Sequence, residues 1–239
     1  MDSSQIQSLC ERGQEELSRM RYLQAEKTLA EAEELAWNAR DWDSLSRLYM
    51  PLQESRRQRR QRCGEGKIQL DFIARDAADA PDGAAIARQI EHGQILIAGW
   101  GSIQPAVNAR QAIAELGLYL DIFLAAVYPM GEGRIIVIVP TANIAMPATA
   151  PMQPDVLMRQ LPVHSIVLSD SELQTRTYAA TMALWERLHA PFLAAAGFAP
   201  DAVQKIDAYR ETIGVDYACE LAHQNISNLA RKIAVGEDA

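Results

Sequence analysis

The stretch Gln94-Ile95-Leu96-Ile97-Ala98-Gly99-Trp100-Gly101-Ser102 decides how this chain folds. Residues 94–98 form a short, nearly continuous apolar run, as a strand buried on both faces requires. Residues 99–102 turn the chain, a helical stretch over about 104–116 follows, and Gly117 ends it. Upstream, Ile68, Leu70 and Phe72 alternate within 67–74 as in a strand, and a polar turn from Asp76 to Asp82 leads into an amphipathic helix over about 82–92. Downstream, 118–128 reads as a strand, 130–133 as a turn and 134–140 as a strongly β-branched strand. The order β-α-β-α-β-β predicts a right-handed, mostly parallel α/β sheet with an antiparallel hairpin on its edge.

Four prolines, Pro147, Pro151, Pro154 and Pro162, mark 141–163 as a long loop with at most one short helix near 154–161. A fifth strand is expected at 164–170. Helices are expected at about 172–196, 201–214 and 217–234. Residues 5–62 also read as helices, with breaks near Met20-Arg21-Tyr22 and Asn38 to Asp41. Asp41 or Asp43 would cap the third helix, and Pro51 would kink it or mark its first turn. Gly64 and Gly66 stop it. The domains expected are a helical hairpin at 1–63, an α/β domain of about five strands at 67–170 and a helical segment at 171–239.

At the N-terminal end, small and large residues alternate at helix-crossing spacing. Gly13 is small on the first helix, and Tyr22, Ala25, Leu29, Ala32 and Leu35 follow on the second. This pattern resembles a tetratricopeptide (TPR) repeat, whose paired helices approach through small residues and fill the gaps with larger ones. A weaker copy, with Ala208, Tyr209, Val215, His223 and Ile226 in place, lies near the C-terminus. It departs from the family at Leu193, Lys205, Thr212 and Tyr217. The resemblance implies TPR-like hairpins flanking the sheet from both termini. One or two such units cannot build the groove of a long array.

Twenty-three Lys and Arg stand against 31 Asp and Glu, a formal charge of −8. A net anion is poorly suited to coating nucleic acid or an anionic membrane. No apolar run reaches the roughly 20 residues of a spanning helix. Residues 1–18 lack the basic and apolar regions of a secretory signal, so a cytoplasmic location is the expectation. Cys10, Cys63 and Cys219 show no CxxC spacing and read as free thiols. None of His92, His164, His189 and His223 has a partner histidine four residues away. No metal, cofactor or catalytic constellation is read.

Two sites are candidates. The first is the turn after 94–98, where Gly99, Gly101 and Ser102 could admit a nucleotide or phosphorylated metabolite at a helix start, with Asp76 and Asp170 on the same sheet edge. Gln104 replaces the third glycine of a dinucleotide fingerprint, and no P-loop is present. The second is an interaction surface of Tyr22, Trp37, Trp42 and Tyr49 together with Arg56, Arg57, Arg59 and Arg60 of the run 56–62. Those arginines could meet an acidic protein partner, or pair with acids such as Glu31, Glu33 and Glu34 within or between chains. They lack interleaved aromatics for stacking bases, so nucleic acid is disfavoured. The expected function is a non-catalytic protein-interaction or scaffold module whose partner is another protein or a second copy of itself.

Overall fold

The computed structural model describes residues 3–130, 133–149, 153–169, 171–174 and 176–237. The chain divides into two units, residues 61–188 and residues 1–60 with 189–239.

Residues 61–188 carry an α/β sheet. Its strands are β1 (Lys67–Ile73), β2 (His92–Trp100), β3 (Tyr119–Met130), β4 (Gly133–Val139) and β5 (Ile166–Leu168), in that spatial order. β1 pairs parallel to β2 and β2 to β3, while β3–β4 and β4–β5 are antiparallel. β5 therefore runs in the same sense as β1, β2 and β3, and the sheet is mixed but mostly parallel. The expected α/β architecture and edge hairpin are both present.

Side-chain alternation assigns the two faces of β3. Leu120, Ile122, Leu124, Ala126 and Tyr128 join one core with Ile95 and Ile97 of β2 and Val137 and Val139 of β4. Two helices, α1 (Gly83–Arg88) and α2 (Gln104–Leu116), cover that face through Ala87, Ala106, Ala109 and Ile113. Each fully buried Leu or Ile there contributes about 1.5–3 kcal/mol. Gly117 closes α2 in the left-handed region (φ 64°), its N–H bonded to Ile113 O at 2.9 Å. Arg110 of α2 donates through Nε and Nη2 to the Ile122 carbonyl at 3.0 and 2.7 Å, where β4 has already ended. On the opposite face the Trp185 ring stacks on Phe123, centroids 4.4 Å apart, and its Nε1 donates to the buried Gln94 Oε1 at 3.2 Å.

Several boundaries differ from expectation for local reasons. The first crossover helix is shorter than 82–92 because Gln89 ends it and β2 begins at His92. The fifth strand shrinks from 164–170 to three residues, with His164 at φ 64° before it. The long helix expected from 172 is a 3-10 turn, Glu172–Gln174, followed by α3 (Tyr178–Gly197), whose start is capped by Thr177 Oγ1 accepting from Ala180 N at 3.2 Å. The loop helix α4 (Pro154–Gln160) buries Leu157 in the first core.

The other unit is helical. From the chain start come α5 (Ser3–Ser18), α6 (Tyr22–Ala39) and α7 (Trp42–Gly64, of which residues 42–60 belong here). From the far end come the last turns of α3, then α8 (Ala202–Val215) and α9 (Glu220–Val235). Arg40 turns left-handed (φ 54°) after α6, and Asp41 Oδ1 accepts from Ser44 N at 3.0 Å, so Asp41 is the cap of α7. Pro51 lies well inside α7 and not in its first turn. Helices from both chain ends share one core, in which Leu29, Ala32, Leu45, Leu48 and Tyr49 pack with Ile206, Ala222 and Ile226. Gly13 explains the close approach of α5 and α6, since a Cβ there would stand 2.5 Å from Leu29 Cγ.

Candidate functional site

The tips of β1, β2, β3 and β5 lie on one sheet edge because these strands run in one sense. Gly99, Gly101, Ser102 and Asp76 are on that edge, and Asp170 lies outside the described residues. An anion cradle there would need unspent N–H groups. Gly99 N donates to Ser102 O at 3.0 Å, Ser102 N to Gly99 O at 3.4 Å and Gly101 N to Val127 O at 2.9 Å. At the start of α2, Gln104 N donates to Ser102 Oγ at 3.1 Å, Pro105 has no N–H, and Ala106 N and Val107 N both reach Ile103 O. These donors are already engaged, Gly101 by the neighbouring β3 and the others locally.

The same turn is also covered by its own chain. Gly101 sits at φ 55° with Thr149 Cγ2 where a Cβ would project, and Tyr128 OH donates to Pro147 O at 3.0 Å. The carboxylates nearby do local work. Asp76 Oδ1 accepts from Ala78 N and Asp79 N, Asp79 Oδ2 from Arg75 N, and Asp82 Oδ1 from Ala85 N. Among the described residues no three His, Cys, Asp or Glu side chains are grouped so that they could hold a metal ion.

The arginine run is drawn into the helical unit. Arg56 Nε and Arg59 Nη1 both donate to Glu26, at 3.3 and 2.9 Å. Arg60 Nη2 donates to Asp216 Oδ1 at 2.8 Å, while the exposed Arg57 pairs with Glu54 on its own helix. Arg59 and Arg60 also lie over the Tyr217 ring, 4.1 and 4.7 Å from its centroid. Glu33 and Glu34, the acids expected to meet the run, instead accept from Arg210 at 2.6 and 2.8 Å. Tyr49 is buried and donates to Glu33 Oε1 at 2.7 Å, and burial with the adjacent Glu33 carboxylate pushes its phenol well above the ordinary value.

Trp37 and Trp42 are half-buried at the corner between α6 and α7, packed edge to face with centroids 5.8 Å apart. Arg40 lies over Trp37 at 4.4 Å and over Trp42 at 5.6 Å, and Arg210 lies 4.6 Å from the Trp37 centroid. The result is a layered set of two indoles and two guanidiniums. Tyr22 is half-buried at the start of α6. Arg40 and Arg210 were not candidates in the sequence, because nothing local ties residue 210 to the 37–42 corner.

A second cluster escaped the sequence altogether. His189 on α3 donates through Nδ1 to Asp216 Oδ2 at 2.8 Å. Asp216 receives Arg60 on its other oxygen and turns the chain into α9, accepting Ala218 N on Oδ1 and Cys219 N on its carbonyl. Burial opposes a charge on His189, yet its bonds to Asp216 and Cys219 prevail and push it up to about 10. Burial works against the Asp216 charge, but Arg60 and His189 overcome it and hold the carboxyl below its ordinary range.

His223 behaves in the opposite way. It is fully buried, and burial together with the Arg56 charge pushes it down to about 3. Its neutral tautomer follows from its partners. The Cys219 carbonyl can only accept, so Nδ1 carries the proton (2.8 Å), and Nε2 accepts from Arg56 Nη1 at 2.9 Å. Neither histidine announced its partner locally, since the group His223 meets at residue 219 is a backbone carbonyl and His189 meets Asp216 across 27 residues.

No family model, curated protein or solved structure matches this chain.

Proposed function

We propose that the chain is a protein-interaction or scaffold module without catalytic activity, and that its helical unit, with TPR-like hairpins, presents the binding surface. The observation that carries this reading is the layered Trp37–Arg40–Trp42–Arg210 corner. Tryptophan and arginine are the residues most enriched among interface anchors, and here each indole is braced by its neighbours while remaining partly exposed. Bracing in the free protein reduces the ordering cost of binding. Of the residues first considered, Trp37 and Trp42 therefore take precedence over the arginine run, whose members are engaged by Glu26, Asp216 and Glu54. The partner is a protein, with a second copy of the chain as the first case to examine. The cytoplasm is the location in keeping with this role. Among the described residues no helix is long and apolar enough to cross a membrane.

The test is sedimentation of the purified protein over a range of concentrations, combined with crosslinking in extracts of the source cells. Both are compared with Trp37→Ala and Trp42→Ala variants that retain the parent far-ultraviolet circular dichroism. Loss of self-association or of a discrete crosslinked partner in the variants supports the reading. A strictly monomeric protein with a crosslinking pattern indifferent to both substitutions removes it.

A nucleotide or phosphorylated-metabolite site at 99–102 is the rival class. It is disfavoured by the spent N–H groups of Gly99, Gly101 and Ser102 and by the position of Thr149.

A further inference from the structure

Two arginines rest on the Trp37 indole in different company. Arg210 lies 4.6 Å from the ring centroid, and its N–H edge is filled: Nε donates to Glu33 Oε1 at 2.6 Å and Nη2 to Glu34 Oε2 at 2.8 Å. Arg40 lies 4.4 Å from the same centroid and 5.6 Å from that of Trp42. It is exposed, and among the described residues its side chain has no ion pair and no hydrogen bond. Stacking uses the face of a guanidinium and leaves its edge for a carboxylate. Arg210 shows that arrangement completed, and Arg40 presents the same edge to solvent.

The acids nearby are committed elsewhere. Glu33 and Glu34 serve Arg210, Asp43 pairs with Arg47 at 2.8 Å, and Asp41 Oδ1 accepts from Ser44 N. The backbone beneath Arg40 is fixed at φ 54°, with its N–H on Trp37 O and that of Asp41 on Ala36 O. A further exposed aromatic lies at the same end of the helical unit. Arg210, midway along α8, meets the last turns of α6, whereas Asp216, just past the end of α8, meets Arg60, whose neighbour Arg59 reaches Glu26 at the start of α6. α8 thus runs antiparallel to α6, which brings its start, and Phe198 just before it, to the end that holds Trp37, Arg40 and Trp42. Phe198 is 89 % exposed, and residues 190–200 contain no polar side chain.

We propose that this end of the helical unit binds a short segment of another protein in which a carboxylate stands between bulky apolar side chains. The carboxylate takes the N–H edge of Arg40, as Glu33 and Glu34 take that of Arg210. The apolar side chains cover the exposed parts of Trp37, Trp42 and Phe198. The inference rests on the interaction reading above and narrows its partner. A short segment is favoured over a second copy by charge, since two chains of −8 repel each other while a segment with a single carboxylate adds little repulsion.

The probe is a pool of peptides of about nine residues, able to span roughly 30 Å when extended, with one glutamate flanked by varied leucine, isoleucine and phenylalanine. A matched pool carries glutamine instead. Binding to the full chain is followed by nuclear magnetic resonance through the Arg40 Nε–H and the Trp37 and Trp42 Nε1–H signals. The glutamate pool is expected to shift these signals and to bind about tenfold more tightly than the glutamine pool. In Arg40→Asn, whose side chain tolerates the left-handed backbone, the two pools should bind alike with the circular dichroism unchanged. Phe198→Ser alters only exposed apolar surface and should weaken both pools to the same degree. Absence of any shift, equal binding of the two pools by the parent protein, a glutamate preference that survives in Arg40→Asn, or unchanged binding in Phe198→Ser would overturn the proposal. If Trp37→Ala and Trp42→Ala nevertheless abolish self-association or the crosslinked partner, only this choice of partner falls. If those variants are silent as well, the interaction reading falls with it.

Discussion

Arg60 and Asp216 meet at 2.8 Å across 156 residues of chain, with 6 % and 5 % of their side chains exposed. Such a pair adds little relative to an apolar replacement of both members, but removing one strands the other in a low-dielectric interior. Arg60→Met should therefore destabilise the helical unit by about 3–5 kcal/mol, read from urea denaturation. Residual compensation by His189 places the effect at the lower end. A loss below about 1 kcal/mol would mean that water reaches Asp216 and the pair is effectively exposed.

Two histidines in the same unit should give stability a maximum near pH 6.5, the ordinary imidazole value. His189 is raised to about 10, so its contribution is complete below 6.5 and is lost as the pH climbs toward 10. His223 is lowered to about 3, so the unfolded chain binds a proton there that the folded one refuses, and stability falls as the pH drops from 6.5 toward 3. His189→Gln should flatten the alkaline limb and His223→Gln the acid limb of a denaturation-midpoint profile. A profile in which neither substitution changes its own limb would contradict these assignments. Asp216, held below its ordinary 3.8, adds its own loss only at more acidic pH.

Gly13→Ala tests the contact between the first two helices. In an isolated helix the change would be favourable by about 1 kcal/mol. Here the new methyl meets Leu29 Cγ at 2.5 Å and Cδ2 at 2.7 Å, and Leu29 is fully buried. The expected outcome is a net destabilisation of about 1–3 kcal/mol, relieved in part by Leu29→Ala. A stabilised Gly13→Ala protein would show that the helices can separate freely.

Inorganic phosphate and adenosine nucleotides should leave the melting temperature unchanged, because the N–H groups after β2 are already spent on Ser102, Gly99 and Val127. Replacing Thr149 with Gly should not create binding, since the donors stay engaged. A saturable rise in Tm with any of these compounds would revive the rival site.

Trp185→Phe keeps a ring over Phe123 but removes the donor to Gln94 Oε1, leaving a fully buried amide oxygen without that bond. A cost of about 1–3 kcal/mol is expected, measured as a lowered denaturation midpoint of the sheet unit by near-ultraviolet circular dichroism.

The parts of the fold that were legible were those whose cause is local. The run 94–98 has only one consistent burial, and Gly117 ends its helix by a conformation that few other residues adopt. The repeat-like pattern of small and large residues also pointed to the meeting of Gly13 and Leu29. What the sequence hid depends on partners far along the chain. Nothing near Arg60 names Asp216, and nothing near Trp37 names Arg210. The acids nearest in character, Glu33 and Glu34, proved to serve another arginine. At the candidate turn, Gly101 and Ser102 follow β2 as expected, whereas Gly99 and Trp100 still belong to the strand. Their spent donors became visible only once the backbone bonds could be counted.

The helical unit is assembled from residues 1–60 and 189–239, with the whole sheet unit encoded between them. During translation the first three helices therefore emerge long before Ile206, Asp216, Ala222 and Ile226, which complete their core. The sheet segment, being continuous, can close while the ribosome is still working, whereas Leu29, Leu45 and Leu48 must wait with apolar surface uncovered. A nascent chain halted before the last helices would thus carry a finished sheet and an open, chaperone-dependent helical half.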